Sequence, residues 1–501
     1  MALPYQCLSP LGKATLICVS RGASLHTIDL STQPPIVVHS WAHSSSKSVV
    51  DTNTKAEGKE GRPPSKRRKV VSEIASDAEG GQEAAVEPTG KKGSKKERKQ
   101  GPAKTEEPLI VLLKATTDGC HVVAVTGLDK SLWVFEHDGR GSLKELSRRV
   151  MPKRPNSLAF TADEKTILSG DKFGDVYALP LLVSPSETTA EDQKSTSSAP
   201  PTAPSNGSTP ASSNTQAKSS VRGANEFTVH SGRNLRALED QRLQRERNMK
   251  LDQPKEGPSF AHELLLGHVS LLTCVVTAKD GQGRPYIITS DRDEHIRISR
   301  GMPQAHVIEN YCLVHGSFVS ALCLPRPDIL VSGGGDSELF AWDWLAGRLL
   351  GTTDLLAHVK EIEPDVLRLA VTKLLAFEAG GGTYVAVICE RVPALFIFHI
   401  THGDSTLSHS QTLRLPGNPL DIIMLDTAGT APRLLTSVDS ESSSLLVLEQ
   451  RESIWTIHSS ISSPFNAEKF MSMSREDLDK ILYTTENLRK SDMDNAANGE
   501  D

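Results

Sequence analysis

The sequence predicts an all-β chain, a seven-bladed WD40 β-propeller with disordered inserts and a short C-terminal helix, and three observations predict it. First, one pattern is written twice between Leu266 and Leu350. Gly267-His268 opens the first copy, and Asp293 stands four residues after Thr289; His315 opens the second, Asp336 stands four residues after Ser332, and Trp342-Asp343 closes it. The two aspartates are 43 residues apart, the period of a propeller blade. Second, each copy supplies short β-branched runs broken by Gly, Pro or Asp, which suits four antiparallel strands. Third, the 501 residues far exceed one small core, and seven blades at this period need about 300 residues.

His315, Ser332, Asp336 and Trp342 form a complete hydrogen-bonding set for the second copy. Burying such groups is tolerable because each satisfies another. The first copy keeps His268, Thr289 and Asp293 but has Ser299 where the tryptophan should stand.

The formal net charge of −6 gives no global case for binding a polyanion, so any basic surface is local. Seven cysteines are scattered without a Cys-x-x-Cys, which reads as small apolar core residues in a reducing compartment. The opening MALPYQCLSPLGK lacks the apolar core of a secretory leader, and no run of 18 apolar residues occurs. A soluble intracellular protein is expected.

Residues 1–42 read as a partial first blade, with ATLICVS, SLHTIDL and PIVVHSW as strands and no clear opening strand. Residues 43–107 turn to Ser, Lys, Glu, Gly and Pro, too few apolar side chains to offset the entropy of ordering, and should be disordered. The run Lys66, Arg67, Arg68 and Lys69 inside this insert reads as solvated charge or, more sharply, as a nuclear localisation signal, which would place the protein in the nucleus. Residues 108–182 read as blades two and three. In blade two Asp129 and Phe135 stand at the offsets of Asp336 and Trp342; blade three is degenerate, with Ser169 followed by Phe173 and Leu179 at those offsets. Residues 183–258 are again low in complexity, with a candidate basic helix at Gly232–Lys250, where six basic residues meet three acidic ones.

Residues 259–460 hold blades four to seven and the ring closure, with a sixth unit over 350–400 and a seventh over 407–450. Ser453–His458 is an extra strand that could complete the first blade and join the two ends of the ring. Within 461–501 a helix starts at Ser474, with Asp477 in the capping-box position, Met473 set to staple Leu478, and Leu478, Ile481 and Leu482 as its apolar stripe. Such a stripe packs on the propeller wall or meets a partner.

Catalytic chemistry is missing from the pattern. Gly333-Gly334-Gly335-Asp336 lacks the Lys-Ser/Thr of a phosphate loop, no Gly-x-Ser-x-Gly occurs, and the histidines fall at blade openings or singly. No catalytic residue, no metal site and no bound cofactor are expected. A propeller presents surfaces.

LLGHVSLL, SDRDEHIRIS, SGGGD and GDKFGDVYALP together resemble the WD-repeat non-catalytic subunit of the eukaryotic tRNA guanine-N7 methyltransferase. Asp-Arg-Asp-Glu-His-Ile-Arg is the most specific segment, and Ser299 in place of tryptophan is part of the likeness. The resemblance covers about residues 107 to 350 well and implies a heterodimer. The partner would hold S-adenosylmethionine and methylate N7 of a variable-loop guanine in tRNA, while this chain would bind, stabilise and activate it, meeting tRNA through the complex and no membrane. Arg292, His295 and Arg297 then become candidate partner contacts, with an intra-blade pair to Asp291 or Glu294 as the alternative. Arg297 suits a bidentate carboxylate contact. Lys153 and Arg154 are second candidates, for partner or RNA. A general nuclear scaffold in ribosome assembly or chromatin is the competing reading.

Overall fold

Strands covered on both faces should read as unbroken apolar runs, whereas strands at an outer edge should alternate. Leu16–Arg21 and Ile329–Gly334 are buried at every residue, while Ile36–Ala42 alternates exposed and half-buried. The computed structural model describes residues 3–12, 15–44, 108–183, 260–401, 403, 406–425, 432–440, 444–461 and 474–490. These form seven four-stranded antiparallel sheets, the seven-bladed propeller expected. The first strands of successive blades touch around the ring, first to last. Seven apolar clusters lie between neighbouring blades, so every interface carries its own core.

Blade boundaries fall one strand away from the sequence repeat. The strand after the second insert, Glu263–Gly267, is the outer strand of blade three, pairing with Asp175–Pro180. Leu407–Arg414, expected to begin the seventh unit, is likewise the outer strand of blade six. The histidine that marks each repeat sits between an outer strand and the next inner one, so the written unit begins before the folded unit.

Ring closure also differs from expectation. Cys7–Pro10 supplies the opening strand of blade one, and Ile454–Ile461 pairs with Leu445–Arg451 in blade seven. Ser453–His458 is therefore not lent to the first blade. The ring closes by packing: Tyr5, Leu8 and Ile17 meet Ile423, Leu435 and Leu445, and the Leu8 amide donates to Asp421 Oδ2 at 2.8 Å. With each sheet already complete, burial of apolar area holds the two ends together.

Two α-helices stand among the described residues. The five-residue α1 (Leu356–Lys360) links blades five and six, and α2 (Arg475–Leu482) opens the C-terminal segment. Ser474 caps α2, its Oγ accepting the Asp477 amide at 3.2 Å. Leu478 is buried, while Ile481 and Leu482 are half-buried. The expected Met473 staple, the Gly232–Lys250 helix, the Lys66–Lys69 run and nearly all of the two inserts lie outside the described residues.

Candidate partner-binding face

Because the strands of a blade alternate in direction, the loops between second and third strands open on the same face as the loops joining one blade to the next. Blade five shows how that face is built. His315 Nδ1 lies 2.6 Å from Asp336 Oδ2, its Nε2 lies 2.7 Å from Ser332 Oγ, and Trp342 Nε1 donates to the same hydroxyl at 2.8 Å. Blade two carries the same set in residues the sequence offsets missed. Trp133, not Phe135, donates to Thr126 Oγ1 at 3.2 Å, Thr126 donates to Asp129, and His43 Nε2 lies 3.3 Å from Asp129 Oδ2. Thr126 and Trp133 are seven positions apart where Ser332 and Trp342 are ten, so a turn three residues shorter moves the indole. His43 belongs to this network although the sequence placed it in the insert. Its signal is visible only when the 64 residues from 44 to 107 are skipped.

Blade four departs further. His268 bonds Thr289 Oγ1 at 2.7 Å, but its Nδ1 meets Asp291 Oδ2 at 2.9 Å, so the aspartate of the set is Asp291 and not Asp293. Asp291 Oδ1 accepts the amides of Asp293 and His295, at 2.9 and 3.0 Å, closing a turn in which Glu294 takes φ +77°. Burial opposes ionisation of Asp291, but the His268 bond and the His295 amide outweigh it and hold the carboxyl below its usual range. The exposed Asp293 side chain points instead towards Lys490, 3.3 Å away.

Arg297 occupies the register of Phe340: Thr289 pairs with Arg297 as Ser332 pairs with Phe340. It is 8% exposed, and donates Nε to Ser299 Oγ at 2.9 Å and Nη1 to the Gly267 carbonyl at 3.1 Å. Ser299 stands where blade five has its indole, so the guanidinium reaches down the strand to the hydroxyl that replaces it. Among the described residues Arg297 meets no carboxylate, and neither Asp291 nor Glu294 takes its charge. Burial pushes it below its ordinary value, with Tyr311 opposing. His295, half exposed, lies with Nδ1 3.4 Å from Asp291 Oδ1.

Residues 474–490 form a strap across the same face. Tyr483 donates to Asp439 Oδ2 at 2.5 Å beside the Arg475–Asp439 pair at 2.6 Å, on blade seven. Burial, then Asp439, pushes the Tyr483 phenol up to about 12. The amides of Thr485 and Glu486 donate to Glu390 of blade six at 2.7 and 2.9 Å. Arg489 donates to Ser317 Oγ and to the Gly335 and Leu369 carbonyls at 3.1, 3.0 and 2.9 Å. Lys490 ends the strap between Asp293 and Glu294, each 3.3 Å away. Arg292, expected at a partner, donates Nε to the Leu488 carbonyl at 2.8 Å. The helix and strap thus pack on their own propeller. Lys153 and Arg154 are exposed on the loop leading into blade three, with Lys153 Nζ 3.9 Å from the Phe173 ring centroid.

Among the described residues no three His, Cys, Asp or Glu side chains are grouped to hold a metal ion. The seven cysteines are free, and burial pushes the Cys389 thiol up to about 12, keeping it protonated. The profile of a family described as tRNA methyltransferase TRM82 WD40 domain matches residues 17–462. The chain belongs to this family. A protein of Sclerotinia sclerotiorum named tRNA (guanine-N(7)-)-methyltransferase non-catalytic subunit trm82 is 37% identical over 545 residues, covering 97% of this chain and 98% of that protein. Its namesake in Aspergillus fumigatus is 35% identical over 533 residues, covering 98% of each. A solved structure titled Crystal structure of RRP9 WD40 repeats has a TM-score of 0.49 at 11% identity, covering 87% of this chain and 88% of that one. The family's match therefore runs through all seven blades, well past the segment about Leu266–Leu350 in which the sequence repeat is clearest.

Proposed function

We propose that this chain is the non-catalytic propeller subunit of a tRNA guanine-N7 methyltransferase, binding, stabilising and activating a catalytic subunit that forms N7-methylguanosine in the tRNA variable loop. The partner holds S-adenosylmethionine, the pair is a heterodimer, and tRNA is met through the complex. The basic run Lys66–Lys69 supports residence in the nucleus.

One observation carries the reading beyond family membership. Arg297 is a buried cation that meets no carboxylate among the described residues. Retaining a buried charge is costly unless something pairs with it, and a carboxylate from a partner would satisfy the free edge of the guanidinium in bidentate fashion. A rigid ring that binds one conformer of a mobile enzyme stabilises that conformer by its differential affinity.

The test separates folding from association. Replacing Arg297 by Met keeps bulk and removes the charge. The isolated chain should melt within a few degrees of the parent, since an unpaired buried cation contributes little to folding. Association with the methyltransferase should weaken by about 2–5 kcal/mol, roughly thirty- to several-thousand-fold, and methylation by the purified pair should fall with it. Normal association, measured by co-purification and calorimetry, would rule the contact out.

A further inference from the structure

The link from blade five to blade six opens with α1, and its far end meets the strap. Val359 of α1 is buried with Phe398 in the core between the two blades. The Thr353 hydroxyl donates to the Leu407 carbonyl at 2.9 Å, joining their outer strands. Two residues on from Leu407, His409 stacks on His358 of α1, with ring centroids 3.8 Å apart and planes 15° apart. Phe398 stands edge-on to both rings, 6.0 Å from His358 and 5.5 Å from His409. His409 Nε2 lies 2.8 Å from Thr412 Oγ1. His358 Nδ1 is buried and meets no hydrogen-bond partner among the described residues, with Glu361 Oε1 3.6 Å away. Two neutral rings stack favourably, whereas two imidazolium rings at this separation repel. Burial first, then the His358 ring, hold the half-buried His409 imidazole below its ordinary value near 6.5, with Glu361 and the Gln411 backbone opposing. The other charged or titratable groups on the surrounding elements are Asp354, Lys360, Glu363, Asp365, His399 and Arg414. Among the described residues Glu361 is the one carboxylate within 4 Å of either ring, and its side chain is 63% exposed.

The stack is tied to the strap through the same link. Arg414 Nη2 donates to the Glu361 carbonyl at 2.8 Å, at the end of α1. Eight residues further on, the Leu369 carbonyl accepts from Arg489 of the strap at 2.9 Å. Between them Leu367 is 84% exposed, so little but these two anchors fixes the middle of the link. Water does not hold a five-residue helix by itself, so α1 is ordered by what it packs on. We propose that the His358–His409 stack is a proton-operated latch: with both rings neutral it docks α1 on blade six, and mild acid releases α1 and loosens the link on which the strap rests. A ring that resists its proton when docked takes it more readily once released. Docking is therefore favoured above about pH 6.5 and weakened as pH falls below it. One imidazole shifts this balance by at most about tenfold at pH 5.5.

The experiment follows hydrogen exchange of the full chain by mass spectrometry at about pH 7.5 and 5.5, corrected for the intrinsic pH dependence of exchange. The fully buried strand Ile329–Gly334 serves as internal reference. Opening of residues 356–360 should rise about three- to tenfold at the lower pH, with the reference strand unchanged. His409→Phe keeps an aromatic ring on His358 and takes no proton, so the rise should shrink to about twofold or less. Glu361→Gln, at an exposed side chain, removes the carboxylate that supports a proton on the pair and should enlarge the rise. No rise in the parent, or an equal rise in His409→Phe, overturns the proposal. So does a rise shared by Ile329–Gly334, which would report general loosening in acid. If His409→Phe melts well below the parent, Glu361→Gln decides, and an unchanged or smaller rise there overturns the latch. None of these outcomes bears on Arg297, which is measured by association with the methyltransferase.

Discussion

Blades four and five are neighbours with one register and opposite solutions to it. In blade five Ser332 is flanked by His315, Asp336 and Trp342, and every polar atom of the set finds another within the blade. In blade four Thr289 keeps its histidine, but Ser299 replaces the indole and Arg297 replaces Phe340. A self-satisfied set serves only the fold. The blade-four set leaves a buried cation with no carboxylate beside it among the described residues, and the same backbone supports both because the ladder hydrogen bonds do not depend on the side chains.

The largest effect should come from breaking blade five. Trp342 is completely buried, and removing it as Trp342→Ala opens a cavity and leaves the Ser332 hydroxyl short of a donor. Denaturant unfolding should show a loss of about 3–5 kcal/mol, against little change for Arg297→Met in blade four. A similar loss for both would show that the two blades are held in the same way.

Next in size is Asp291. Its folded carboxyl lies below its usual range, so its contribution is present above the ordinary carboxyl value near pH 4 and disappears as pH falls through the folded value. Asp291→Asn should therefore cost about 1–3 kcal/mol at neutral pH and flatten the acid limb of a stability–pH profile. An unchanged acid limb would remove this aspartate from the network.

Blade three sharpens the contrast with the smallest effect and the opposite sign. Asp171 occupies the same turn position as Asp291 and accepts the Phe173 and Asp175 amides at 2.7 and 3.2 Å, but among the described residues its Oδ2 meets no hydrogen-bond partner. Burial raises its carboxyl above the usual value. A raised carboxyl favours the fold below its unfolded value and disfavours it as pH rises through the folded one. Asp171→Asn should thus be neutral or stabilise by up to about 1 kcal/mol near pH 7, read from melting temperatures across pH. A clear destabilisation at neutral pH would mean that the negative charge itself is needed there.

Sequence spacing recognised His268 and Thr289 but chose Asp293 over Asp291. Both are aspartates near the required position, and the choice depends on the left-handed Glu294, which bends the loop and returns Asp291 beneath the imidazole. Trp133 and His43 escaped for a related reason: offsets copied from one blade fail where a turn is shorter or an insert intervenes. Arg297 stands in the sequence as a charged residue beyond the structural set of its blade, yet nothing in its spacing shows that it is buried and bonded to Ser299.

The sequence by itself determined the all-β class, the blade period and the His–Ser/Thr–Asp–Trp order of blade five, because these follow from local alternation and a 43-residue repeat. It also marked Ser474 as a helix start, since capping is settled within one turn. Tertiary structure alone decided which strands share a blade, how the first blade meets the seventh, and that residues 474–490 cross four blades. Those outcomes depend on contacts between residues up to 413 positions apart. Periodicity constrains the faces of a strand, but only the closed ring brings distant faces together.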